Sequence, residues 1–184
     1  MLYLASKSPR RYELLKSLSV EFETLSVDIE ETWDESETAE EYVSRIALEK
    51  AQAAKKQARQ DGLILAADTE VIVDARVMGK PVDREAAMDM LLGLSDRCHT
   101  VLSAVVLLGE SVQSRLSVNR VCFDNLSRHQ CESYCDSGEP YDKAGGYGIQ
   151  GYAANFLRKL EGSYSSVMGL PLVETAELLG LKLE

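Results

Sequence analysis

The sequence is poor in the signals that most plainly announce a chemistry. It has four cysteines, at 98, 122, 131 and 135, and no Cys-x-x-Cys pair. Cys131 and Cys135, with His129 close by, come nearest to a zinc set. Their helical spacing is better read as two small buried side chains on one face. The segment Met1 to Ser6 lacks a basic stretch followed by a long apolar one, so no secretory signal is expected. No apolar run approaches the roughly 20 residues of a membrane span, so no membrane partner is expected. The chain therefore reads as cytoplasmic, where thiols stay reduced and a disulfide is not expected. Gly-x-x-x-x-Gly-Lys-Ser/Thr is absent, which excludes P-loop chemistry by motif. Gly-x-Ser-x-Gly is absent too, and His99 and His129 fall in strand-like and helix-like segments, so a Ser-His-Asp hydrolase is not indicated. Positive charge is short: 20 Lys and Arg stand against 30 Asp and Glu, a net charge of −10. Such an envelope repels phosphate backbones, so no nucleic-acid partner is expected. A small charged substrate in a local basic pocket remains compatible with it.

What is present is an ordinary globular composition. The 184 residues are 45% hydrophobic and 27% charged, without repeats or low-complexity tracts. This length suits one compact domain, or one domain with two lobes around a cleft. Leu2 to Ala5 reads as a buried strand. Ser8-Pro9 then predicts a helix, with Ser as N-cap and Pro in the first turn. Val20 to Ser26 reads as a strand. Thr38-Ala39-Glu40-Glu41 is a capping box for a long helix whose apolar residues, Tyr42, Val43, Ile46, Ala47 and Ala51, recur at three and four. Asp61-Gly62 is expected to end it. Leu63 to Ala67 is a continuous apolar run that predicts a buried strand with Asp68 at its end. A hairpin is expected across Asp74-Ala75, a helix after Asp83, and two long β-rich runs joined at Gly109-Glu110-Ser111. A helix after Ser127, a glycine-rich loop over 138–151, a short strand at Phe156 to Leu160 and a last helix after Pro171 complete the pattern. Helices alternating with locally paired strands imply an α/β fold with a mixed, elongated sheet flanked by helices.

Five segments could carry chemistry. Ser6-Lys7-Ser8-Pro9-Arg10-Arg11 places two arginines at a helix start, against the helix dipole, as a site for an anion would. Ala66-Ala67-Asp68-Thr69 offers a carboxylate suited to a general base or a metal ligand. Gly79-Lys80-Pro81 holds a lysine on a corner twelve positions later. Asp142 to Gly151 contains a literal Gly-x-Gly-x-x-Gly, but a polar loop precedes it and a strand-like segment follows, so nicotinamide binding is not indicated. Glu161 to Leu172 supplies several hydroxyls and another helix start.

Taken together and in this order, the segments resemble the Maf family of nucleoside triphosphate pyrophosphatases. The resemblance also takes in Glu30-Glu31 and Glu49-Lys50-Ala51, and it spans essentially all of 1–184 as a single Maf-like domain. It implies a fold similar to inosine triphosphate pyrophosphatases. It also implies hydrolysis of a nucleoside triphosphate between its α and β phosphates, a divalent cation (magnesium or manganese) and a homodimer. By the same resemblance, Asp68 is the proton acceptor that activates water, and Lys50 and Lys80 neutralise the triphosphate. Ser8 and Arg10 hold phosphate oxygens, and Glu31 and Asp68 hold the metal. Arg11, Thr69 and Gln150 match the branch acting on dTTP and UTP, where a Gln amide can offer a donor and an acceptor to a pyrimidine edge. Two alternatives stand beside this: a relative acting on another nucleotide such as 7-methyl-GTP, and a nucleotide-binding regulator of septum formation without turnover. Gly146 replaces an Ala often seen in the family's glycine loop.

Overall fold

The structure, a computed structural model, describes residues 1–34, 36–59 and 61–182. Its first half builds parallel pairing around one strand. β1 (Leu2–Ala5) leads into α1 (Pro9–Lys16) and β2 (Phe22–Leu25); α2 (Ala39–Lys55) then leads into β3 (Leu63–Val73). β1 pairs in parallel with β2 on one side and β3 on the other. Each return passes through a helix, as parallel pairing requires. A turn at Asp74 and Ala75, both at positive φ, folds the chain into β4 (Arg76–Val77), which pairs antiparallel with β3.

There follow α3 (Arg84–Leu94), β5 (Cys98–Leu108), β6 (Val112–Phe123), α4 (Arg128–Asp136), three short 3-10 turns between Pro140 and Phe156, β7 (Leu157–Glu161), α5 (Tyr164–Met168) and α6 (Leu172–Leu178). The sheet has seven strands in the order β2-β1-β3-β5-β6-β7, with β4 beside β3, and β6 and β7 run antiparallel. The sheet is therefore mixed, as the sequence pattern requires.

The chain divides into two compact units: Met1–Thr69 with Ser103–Ser117 and Ser165–Glu184, and Glu70–Leu102 with Val118–Tyr164. In the first, Leu2, Leu4, Leu15, Leu65, Ala67, Val105, Leu107, Leu170 and Leu178 form one buried apolar cluster. In the second, α3 packs on α4, and Phe123, Tyr134, Tyr147 and Phe156 meet edge to face. Among the described residues no helix is long and apolar enough to cross a membrane.

Three expectations need correction. Asp68 does not end its strand: β3 runs on for five further residues, to Val73. A buried carboxylate is tolerated there because an ammonium meets it, as described below. Gly62 does not cap α2, which ends at Lys55. Gly62 instead lies against β1, where a Cβ would stand 2.7 Å from the Tyr3 ring. Finally, Cys98 and Cys122 are joined by a disulfide, while Cys131 and Cys135 are free and buried on α4. The sequence separation of 24 hides a close approach, since β5 and β6 are neighbours and the two Cα atoms lie 3.9 Å apart.

Candidate active site

Within the first unit the site is built on β3 and α2. Leu65 and Ala67 of β3 enter the apolar cluster, so by strand alternation Asp68 points to the opposite face. The buried face of α2 carries Tyr42, Val43, Ile46, Ala47, Ala51 and Ala54, and Lys50 falls within this stripe. The Lys50 ammonium is thereby taken out of water, with the residue only 9% exposed. Its Nζ lies 2.7 Å from Asp68 Oδ1 and 2.8 Å from Glu31 Oε1. Asp68 is 3% exposed, and its second oxygen, Oδ2, is buried with no hydrogen-bond partner among the described residues. An unsatisfied carboxylate oxygen in such surroundings is costly, and a site that retains one has a polar atom available for something else.

Glu70 follows two residues after Asp68 on the same face of β3. Carboxylate oxygens of Glu31, Asp68 and Glu70 all lie within 4.8 Å of one another. Three hard oxygen donors at this spacing suit a divalent cation of the magnesium or manganese kind. A strand that stops at Asp68 leaves Glu70 out of the sequence-based site; continued to Val73, its alternation places Glu70 beside Asp68.

Thr69, on the other face, exchanges a hydrogen bond with Ser103 (Oγ1 to Oγ, 2.7 Å), and Ser103 Oγ also donates to the Asp68 carbonyl at 3.3 Å. Ser103 thus ties β5 to the backbone that carries Asp68. It has no sequence signature of its own.

At the start of α1, Ser8 is the N-cap and its hydroxyl accepts from the Arg11 backbone N–H; Pro9 occupies the first turn. Arg10 and Arg11 are both half-buried. The Arg11 Nε donates to the Gly169 carbonyl at 2.7 Å. That bond fixes the Arg11 side chain along the segment between α5 and α6.

In the second unit, Lys80 and Gln150 are exposed. Gly79 precedes Lys80 at φ 61, and its carbonyl accepts from Gly145 N–H at 2.7 Å. The glycine segment is therefore stitched to the Lys80 corner. Gly145 is itself at φ 67, with Val71 so close that a Cβ would meet it at 2.8 Å. Further along, Gly148 N–H donates to the Tyr134 hydroxyl at 3.1 Å, and burial pushes that phenol up to about 12. Tyr147 lies between these anchors, and its hydroxyl is 2.6 Å from His99 Nε2.

Comparison with known proteins adds to this geometry. The Maf-like protein family matches residues 1–181. The chain is 50% identical over 184 residues to the dTTP/UTP pyrophosphatase of Xanthomonas euvesicatoria pv. vesicatoria, covering 97% of each. It is 50% identical over 179 residues to the dTTP/UTP pyrophosphatase of Methylococcus capsulatus, covering 97% of this chain and 89% of that one. Among solved structures, a HAM1 protein from Coxiella burnetii is similar in fold, with a TM-score of 0.53 at 20% identity, over 97% of this chain and 98% of that one.

Proposed function

The chain belongs to the Maf-like proteins, and on that premise we propose that it hydrolyses dTTP and UTP to the monophosphate and pyrophosphate. The observation that carries the reading is the state of Asp68: buried, held by Lys50 through Oδ1, with Oδ2 free to take a proton. A general base must be fixed in place and must keep one acceptor atom for the water it activates. The relatives' names supply the substrate, and Arg11, Thr69 and Gln150 support the same choice.

In this reading Asp68 Oδ2 accepts the proton of the attacking water as its oxygen adds to the α-phosphorus and the bond to the pyrophosphate oxygen breaks. The Lys50 ammonium holds Asp68 in orientation. Lys80 offsets negative charge that grows on the leaving pyrophosphate. Ser8 and Arg10, at the N-terminus of α1, bind phosphate oxygens. Arg11, Thr69 and Gln150 take the nucleoside end. Glu31 and Asp68, with Glu70 beside them, would hold a magnesium or manganese ion; the three clustered carboxylates, all hard oxygen donors, fit one. Bound there, the ion would neutralise triphosphate charge. A homodimer belongs to the same reading and rests on the family resemblance, while the cytoplasmic setting is the expectation drawn from the sequence.

The test is pyrophosphate release from a panel of triphosphates, including 7-methyl-GTP, with and without magnesium or manganese. Release from dTTP and UTP with little from purines is expected. Turnover confined to another nucleotide would keep the chemistry and discard the substrate. Binding without release would replace the enzyme with a nucleotide-binding regulator.

A further inference from the structure

One buried polar pair in the second unit plays no part in the proposed chemistry. His99 is 4% exposed on β5, and Tyr147 is 6% exposed in the glycine segment. Their side chains meet at 2.6 Å across 48 residues of sequence. Both rings pack edge to face on Phe123, with centroids at 5.2 Å for His99 and 4.8 Å for Tyr147. Burial suppresses the charged form of each partner, pulling the His99 imidazolium down and pushing the Tyr147 phenol up. The contact is thus a neutral hydrogen bond between two rings that both pack on Phe123.

Its place in the chain gives it consequence. Tyr147 is three residues before Gln150. Gly145 is tied to the Gly79 carbonyl, Gly148 to the Tyr134 hydroxyl, and Ile149 is 5% exposed. The backbone is therefore pinned on both sides of Tyr147, and it emerges at an exposed Gln150. Glycine-rich backbone has high conformational freedom, so side-chain anchors must supply the order that the glycines do not. Tyr147 is a buried anchor of this kind, and His99 is its polar partner.

We propose that His99 and Tyr147 are positioning residues that set the Gln150 loop for the nucleobase, and so govern discrimination between pyrimidine and purine triphosphates. The proposal rests on the reading of Gln150 given above. Neither residue touches the substrate; they act through the loop between them and Gln150. Binding elements must be held before the ligand arrives, because ordering them on binding costs affinity.

The variant Tyr147→Phe removes the hydroxyl and keeps the ring against Phe123. KM for dTTP and UTP should rise about fivefold, the size of one lost neutral hydrogen bond, with kcat within about twofold. The preference for pyrimidine over purine triphosphates should fall by a similar factor. His99→Gln, which keeps a polar group near the Nε2 position, should lie close to the parent, while His99→Leu should match Tyr147→Phe. Amide hydrogen exchange of residues 147–151 should quicken in Tyr147→Phe and His99→Leu. An equal loss on every nucleotide, or a loss in kcat alone, would overturn the proposal. If the parent protein turns over no pyrimidine triphosphate, it is the reading of the substrate that fails. Exchange then decides whether the strut orders the loop, and unchanged exchange at 147–151 would overturn it.

Discussion

Lys50 reaches Asp68 by one oxygen only: Nζ stands 2.7 Å from Oδ1, while Oδ2 lies buried without a partner among the described residues. The same ammonium reaches Glu31 at 2.8 Å. One cation thus fixes two carboxylates yet leaves an acceptor atom uncommitted. Asp68→Asn keeps the shape and removes the base. It should abolish pyrophosphate release while nucleotide affinity stays within tenfold, about 1.4 kcal/mol. Undiminished release by that variant would remove Asp68 from its proposed role.

The pair also bears on stability. Lys50→Met leaves a buried carboxylate uncompensated, which costs about 3–5 kcal/mol. Combining it with Asp68→Asn should recover much of that loss, because the charge that needed compensation is gone. Urea unfolding of the two single variants and the double variant measures the coupling. Additive losses would mean that the two side chains do not depend on each other.

The glycine segment offers a paired test at adjacent positions. Gly145 and Gly146 both have positive φ, at 67 and 69, but a Cβ on Gly145 would stand 2.8 Å from Val71, whereas one on Gly146 meets nothing closer than 3.6 Å. Gly145→Ala should destabilise by about 2–4 kcal/mol, from backbone strain plus overpacking. Gly146→Ala should cost only the strain, about 1–2 kcal/mol. Denaturant midpoints at constant slope would show the difference.

His99 predicts an acid-sensitive fold. Burial chiefly, with Arg97 adding, lowers its pKa from 6.5 to about 4. Above pH 6.5 the ring is neutral in both the folded and unfolded chain and contributes no pH dependence. As pH falls from 6.5 towards 4, the unfolded chain takes up the proton first, so stability is lost across that window, by about 3 kcal/mol in all. Subtracting the stability-pH curve of His99→Gln from that of the parent isolates this contribution. A difference that stays flat between pH 7 and 4 would contradict it.

The disulfide predicts a thiol count. Protein purified without reductant, then denatured and alkylated, should take two labels, on Cys131 and Cys135, and four after reduction. Mass spectrometry reads this directly. Four labels without reductant would mean that Cys98 and Cys122 stand as thiols.

Elements whose causes are local are legible in the amino-acid order. Ser8 and Pro9 start α1, and Thr38 with Glu41 starts α2, because these side chains satisfy N–H groups only two or three residues away. The order of motifs also carried the family. What sequence reasoning missed depends on neighbours distant in the chain. Strand β3 passes through Asp68 because Lys50, eighteen residues earlier, stands at its side chain. Gly62 is set by Tyr3 rather than by a helix end. Glu70 joins Glu31 and Asp68 only once that strand is continued, and Cys98 meets Cys122 only once β5 lies beside β6. These points turn on the fold, because burying a charge, closing a contact or bonding two sulfurs depends on what lies across it, which spacing along the chain does not encode.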